Sequence, residues 1–139
     1  MEKYTFEDFV EIVRQLRERC PWDSVQTHRS LEKCLKDETK EVIEGIDILE
    51  KNGDGDNLCE ELGDLLLQVV LHSIIAQEEG LFTMDDVISG ISAKMKYRHP
   101  RIFSPENKAA AALSWEELKR LEKEKRASGK SCKNHSDLV

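Results

Sequence analysis

Two pairs of carboxylates, Glu38 with Glu41 and Glu61 with Asp64, are spaced three residues apart in segments whose apolar residues recur with helical period. At that spacing the members of a pair lie one above the other on one helix face. The first pair interrupts an apolar stripe of Leu31, Leu35, Val42, Ile46 and Leu49. The position completing that stripe between Leu35 and Val42 is Glu38, and Glu44 lies a further step along. The second pair stands beside Leu58, Leu62, Leu65, Leu66, Val69 and Val70, in a segment so apolar that most of its faces must be covered. Carboxylates crowded together repel, so they either take up protons or bind a cation. An all-oxygen cluster suits a hard divalent ion, most often magnesium when phosphates complete its shell. A single such pair is ordinarily a solvated helix face, but two that break apolar stripes on consecutive helices favour metal binding.

Two long helices must carry these pairs, one capped by Thr27 and running to about Lys51, the other from Leu58 to Gln77. Between them, Asn52-Gly53-Asp54-Gly55-Asp56-Asn57 is a turn by composition. Its alternating Asn52, Asp54 and Asp56 suggest an EF-hand, but position six would be Asn57 instead of Gly and position twelve Gly63 instead of Glu. At 1.5 Å per residue, straight helices to these bounds put Glu41 roughly 15 Å above the turn and Glu61 only about 5 Å. For the pairs to meet, either the first helix ends early, near Gly45, or the Gly/Asp loop climbs back along it.

Before this pair, Thr5 and Asp8 form a capping box for a helix whose buried stripe is Phe6, Phe9, Val10, Val13 and Leu16. Pro21 disfavours helix at Cys20, leaving an ordered connection in which Trp22 is expected to plug the core. After the pair, Gly80 supplies a C-cap, and Thr83 with Asp86 a second capping box. The next helix is expected to bury Met84, Val87, Ile88, Ile91 and Met95. It ends in the basic run Lys94 to Arg101. Cations there complement the helix dipole, but Lys94 and Arg98 also share a face and suit a polyphosphate. The alanine run before Leu113 could make a short helical turn, and Ser114 with Glu117 caps a last, mostly charged helix edged by Leu113, Leu118 and Leu121. From Ala127 onward periodicity ends and a disordered tail is expected; Cys132 and His135 within it are a weak zinc signal.

No alternating apolar run reaches useful length, so the fold class is all-α: five helices in a bundle with a central antiparallel pair, one domain over residues 1–126. The net charge of −7 argues against a nucleic-acid partner. The apolar segment from Leu62 to Ala76 carries Asp64, Gln68 and His72 and is too short to span a membrane. Four cysteines without a C-x-x-C pair and no signal-peptide pattern make the cytoplasm the expected location.

The run Arg19-Cys20-Pro21-Trp22-Asp23, followed by Gln26-Thr27-His28 and Ser30-Leu31, resembles the opening of MazG-type nucleoside triphosphate pyrophosphohydrolases. Glu38-x-x-Glu41-Val42, the run Cys59 to Val70, Asp85-Asp86-Val87 and Arg98-His99-Pro100 with Phe103 come in that family's order, over roughly residues 6 to 121. The resemblance implies an all-α, usually dimeric enzyme that splits nucleoside triphosphates into monophosphate and pyrophosphate with magnesium (or manganese). By motif position, Glu38, Glu41, Glu61 and Asp64 are similar to the metal ligands, Lys94 and Arg98 to the phosphate contacts, and Trp115 to a nucleotide-contacting Trp. In such a site water attacks the α-phosphorus, and Glu60 or a ligand carboxylate could accept its proton.

Two other classes compete with this reading. A carboxylate-bridged di-iron bundle would need E-x-x-H pairs, which neither Glu38 nor Glu61 begins. A non-catalytic helical interaction or nucleotide-binding module is the stronger rival, using the apolar second helix as a partner surface. On the helix from Leu58 to Gln77, Leu67, Leu71, Ile74 and Ile75 are expected to point away from the first two helices, which favours a homodimer or a dimer of dimers; the alternative is that the helix from Met84 to Tyr97 folds over them within one chain.

Overall fold

The computed structural model describes residues 1–128, and every element in them is helical. The helices are α1 (Phe6–Arg19), α2 (Glu32–Asn52), α3 (Asp56–Glu78), α4 (Met84–Arg98), α5 (Pro100–Phe103), α6 (Lys108–Ala111) and α7 (Trp115–Ala127), with a 3-10 turn at Asp23–Val25. The all-α expectation holds; five helices become seven because the 100–113 stretch contributes two short ones. Two compact units divide the chain, Met1–Thr83 and the part from Met84 onward. The tail expected from Ala127 onward, with Cys132 and His135, lies outside the described residues apart from Ala127, which ends α7, and Ser128.

In the first unit, α1 opens on the Thr5–Asp8 capping box: Asp8 N–H donates to Thr5 Oγ1 at 3.1 Å and Thr5 N–H to Asp8 Oδ2 at 2.8 Å. Its Val13 is buried, whereas Leu16 lies at the helix edge, 40% exposed. Arg17 organises the connection from α1 to α2. Its Nη1 donates to the carbonyls of Asp23 and Gln26 at 2.7 and 2.8 Å, and its Nη2 pairs with Glu78 of α3 at 3.0 Å. The connection is therefore held by arginine hydrogen bonds, and Trp22 does not plug the core; it is 54% exposed. Thr27 caps a separate turn with Ser30, and α2 itself starts after Leu31, without a side-chain cap.

The central pair, α2 and α3, is antiparallel, and at Gly45 the two backbones approach closely. A Cβ there would stand 3.0 Å from Asn57 Oδ1 and from the Leu58 Cα, so only glycine lets the backbones meet. The helix does not end at Gly45. It continues to Asn52, about 10 Å farther at 1.5 Å per residue, and the loop comes back along it. Gly53 makes the reversal with φ 74°, its N–H donating to Leu49 O at 2.8 Å. Gly55 has returned to the level of the Leu49 side chain. Asn52 and Asp54 accept from the N–H groups two residues on, at 2.9 and 3.0 Å, which turns the descent.

The core lies where α3 meets its two neighbours, with Leu31, Val70, Leu71, Ile74, Ile75 and Ala76 all buried. This corrects the expectation for Leu71, Ile74 and Ile75, which the chain covers itself; Leu67 is half-buried. The side chains left outside on α3 are Leu62, Leu66 and Val69, at 50%, 39% and 38% exposure. The inward face begins at Leu31, just before α2, and runs on that helix through Glu38, Val42, Gly45 and Leu49, while Leu35 and Ile46 sit at its edges.

In the second unit, α4 buries none of its residues fully, and Ile88 and Ile91 are exposed, contrary to the expected stripe. Pro100 opens α5 and is buried. Arg101 Nε donates to Ala111 O at 2.8 Å, tying α5 to α6. The Ser114–Glu117 capping box opens α7, which packs on α4 through Leu118 and Glu122, both buried.

Candidate active site

The returning loop brings the second carboxylate pair level with the first. Glu38, Glu61 and Asp64 can each offer an oxygen so that all three atoms lie within 4.8 Å of one another. Two turns of α2 and one turn of α3 are enough to converge them, because the backbones are already in contact at Gly45. Glu41, one turn nearer the loop and exposed, approaches Glu61 and raises its pKa, but stands outside that three-oxygen set. Asn57 Nδ2 donates to Glu61 Oε1 at 3.1 Å and fixes that carboxylate from the loop side.

The electrostatics reflect the crowding. Glu38 is pushed above the ordinary carboxylate range first by loss of hydration, then by the charges of Asp64, Glu41 and Asp37. Glu61 is raised first by loss of hydration and then by Glu41, Asp64 and Glu60. Uncompensated negative charge at one point, offered by oxygens alone, is a donor set for a hard divalent cation. Glu60 is exposed, beside this cluster in sequence and close enough to bear on Glu61.

The other predicted contacts belong to the second unit. Lys94 is half-buried on α4. Arg98 and Trp115 meet each other: the guanidinium carbon lies 5.3 Å from the indole centroid. A second neighbour of Trp115 is His99, at 5.4 Å and tilted by 55°. Arg98 is also paired with Glu122 at 2.6 Å, a partner that sequence reasoning missed together with Asn57 and Gly45.

Farther along α3, two polar groups enter the core. His72 and His28 stack at 5.0 Å with their Nδ1 atoms 2.7 Å apart, so one must donate and the other accept. Burial first, then His28, holds His72 below the ordinary histidine range. Gln68, 5% exposed, leaves its Oε1 without a partner among the described residues, as does His72 its Nε2.

Comparison with known proteins agrees with this architecture. Residues 26–103 match the MazG nucleotide pyrophosphohydrolase domain. The chain is 46% identical over 127 residues to the nucleoside triphosphate pyrophosphohydrolase/pyrophosphatase MazG of Thermotoga maritima, covering 90% of this chain and 48% of that protein. It is 39% identical over 122 residues to the nucleoside triphosphate pyrophosphohydrolase of Escherichia coli K12, covering 84% and 45%. It thus spans about half the length of these curated relatives. The crystal structure of a MazG-related protein from Thermotoga maritima superposes with a TM-score of 0.63 at 27% identity, over 87% of this chain and 98% of that one. With a matching domain over more than half its residues and a solved relative of nearly the same extent, the chain belongs to the MazG nucleotide pyrophosphohydrolase domain family.

Proposed function

We propose that this chain hydrolyses nucleoside or deoxynucleoside triphosphates to monophosphate and pyrophosphate, with magnesium as cofactor and manganese as a substitute. The observation that carries this reading is the convergence of Glu38, Glu61 and Asp64 from two helices onto one point, with their oxygens within 4.8 Å. Those three residues would hold the cation, with Glu41 beside Glu61 as a further ligand. When bound, magnesium would offset the charge of the triphosphate and polarise the attacking water. A cation would relieve Glu38 and Glu61, whose ionised forms are disfavoured first by loss of hydration and then by the charges of their neighbours. Glu60, exposed next to Glu61, accepts the proton of the water, a role Glu41 could share. Lys94 and Arg98 meet the β- and γ-phosphates and stabilise the departing pyrophosphate, and Trp115 offers an aromatic face to the nucleoside.

The working unit is a homodimer, for which the exposed Leu62, Leu66 and Val69 stripe speaks. A reducing, cytoplasmic location agrees with Cys20, Cys34 and Cys59 all being free. Among the described residues no helix is long and apolar enough to cross a membrane.

The test is a pyrophosphate-release assay over a panel of ribo- and deoxyribonucleoside triphosphates, with and without magnesium. The expected result is equimolar monophosphate and pyrophosphate, abolished by chelation. Orthophosphate as the first product would overturn attack at the α-phosphorus. No release from any nucleotide would favour a non-catalytic helical module, whose partner surface would be the same apolar stripe.

A further inference from the structure

Arg98 is the last residue of α4, and its Nε donates to Oε2 of Glu122 on α7 at 2.6 Å. The other oxygen of Glu122 takes Arg126 Nη2 at 3.1 Å, one turn along the same helix. Both oxygens of the carboxylate are therefore engaged. The side chains of Arg98 and Glu122 are 15% and 12% exposed, so the pair is formed largely out of water, where neither charge could stand alone. Trp115 backs the guanidinium at 5.3 Å, and His99 flanks the indole in turn, its ring held with Nδ1 2.7 Å from Met95 O.

The guanidinium is thus fixed along one edge by Glu122 and on one face by Trp115. What the protein leaves open is the other edge. The two Nη nitrogens of Arg98 meet no acceptor among the described residues, and neither is a buried atom. An arginine that served only to tie α4 to α7 would gain most from a two-pronged grip, with two parallel N–H donors on the carboxylate. Engaged through Nε alone, Arg98 keeps two parallel N–H donors in reserve, and two such donors match two oxygens of one phosphate.

We propose that Glu122 is a positioning residue, holding Arg98 by Nε so that its Nη pair is presented to a terminal phosphate of a polyphosphate ligand. This rests on the proposed role of Arg98 as a phosphate contact. Glu122 itself touches no ligand. Its effect passes through the arginine, and so it disappears when the arginine is absent.

The experiment is calorimetric binding of inorganic tripolyphosphate and, separately, of AMP, with magnesium present, to the full chain and to Arg98→Ala, Glu122→Gln and the double variant. Each single substitution should weaken tripolyphosphate by about tenfold or more, leave AMP unchanged, and combine without further loss. A purely structural Glu122 would lower the melting temperature without changing the ratio of the two affinities. That result, losses that multiply in the double variant, or wild-type protein that binds no tripolyphosphate would each overturn the proposal. Should Glu122→Gln fail to fold, Glu122→Asp keeps the charge but draws the guanidinium back. It should lose tripolyphosphate affinity selectively, and unchanged affinity there would be equally fatal. Tripolyphosphate binding that depends on both residues, in a protein that cleaves no nucleotide, would support this inference and overturn the enzymatic reading instead.

Discussion

In the proposed metal site Glu38 and Glu61 carry the most weight, because both would be direct ligands and both are disfavoured as free anions. Replacing either with Gln removes a direct ligand while keeping the shape. Turnover should fall by more than the roughly 10 to 100-fold seen when groups behind a ligand are changed. Near wild-type pyrophosphate release from Glu38→Gln would take that residue out of the site. The same crowding gives a pH dependence with a defined sign. With pKa values raised in the folded state, the folded protein binds more protons than the unfolded one just above the ordinary carboxylate range. These two groups therefore stabilise the metal-free fold at and below that range, and their contribution is lost as pH rises from it through the raised values of the folded state. Magnesium takes the deprotonated form, so the rise in melting temperature on adding it should grow as pH climbs above the ordinary carboxylate range. A metal-induced shift that is flat or falls over that climb would show that these carboxyls do not bind it.

These carboxylates are legible in the sequence because a charge that completes an apolar stripe is a conflict, and the conflict needs a cause. The same signal is present at Glu122, which lies one turn after Leu118 on the apolar edge of α7, but the charged residues around it conceal it. Trp22 misleads for the opposite reason. Nothing in a short loop announces that Arg17, one helix earlier, will satisfy its carbonyls and leave the indole outside. Gln68 and His72 are visible as polar residues in an apolar helix, yet their burial depends on what packs over α3.

At the scale of elements, helix periodicity locates all four long helices and α7, and the capping boxes expected at Thr5 and Ser114 form. What periodicity cannot decide is the height at which α2 and α3 meet. Two helices that turn at their nearest ends would have left the carboxylate pairs apart, and the overshoot of α2 with a returning loop is a property of Gly45, Gly53 and Gly55 together. Gly45 is the most exacting of these. Gly45→Ala sets a methyl 3.0 Å from backbone of α3, which cannot give way as a side-chain tip would. The helices must separate, at a cost of about 1 to 3 kcal/mol, and Glu61 moves with respect to Glu38. Gly90→Ala, also inside a helix, meets nothing within 4 Å and should gain about 0.5 to 1 kcal/mol from helix propensity alone. Thermal melts of the two variants, with a magnesium titration of each, separate the cases. Gly45→Ala that is as stable as wild type and binds metal equally would contradict the close approach.

The whole molecule raises the question of what covers α3 on its outer side. The dimer expected from Leu71, Ile74 and Ile75 cannot use those residues, since α1 and α2 already enclose them. The stripe that remains is Leu62, Leu66 and Val69, one face at successive turns, accompanied on α2 by the exposed Ile43 and Ile46. Covering the exposed half of each such side chain is worth about 1 kcal/mol, and a two-fold axis beside α3 would count every residue twice. This shifts the mutational signature. Leu66→Asp places a charge where the isolated chain is open to water, so it should separate the subunits and leave each folded. Leu71→Asp buries an unpaired charge beside Val70 and Ile74 and should unfold the chain whatever its oligomeric state. Light scattering with circular dichroism reads both: a wild-type mass twice the 16.0 kDa chain, a folded monomer for Leu66→Asp, and lost helicity for Leu71→Asp. A wild-type monomer at micromolar concentration would sink the dimer, and a Leu66→Asp variant that stays dimeric would move the interface off this stripe.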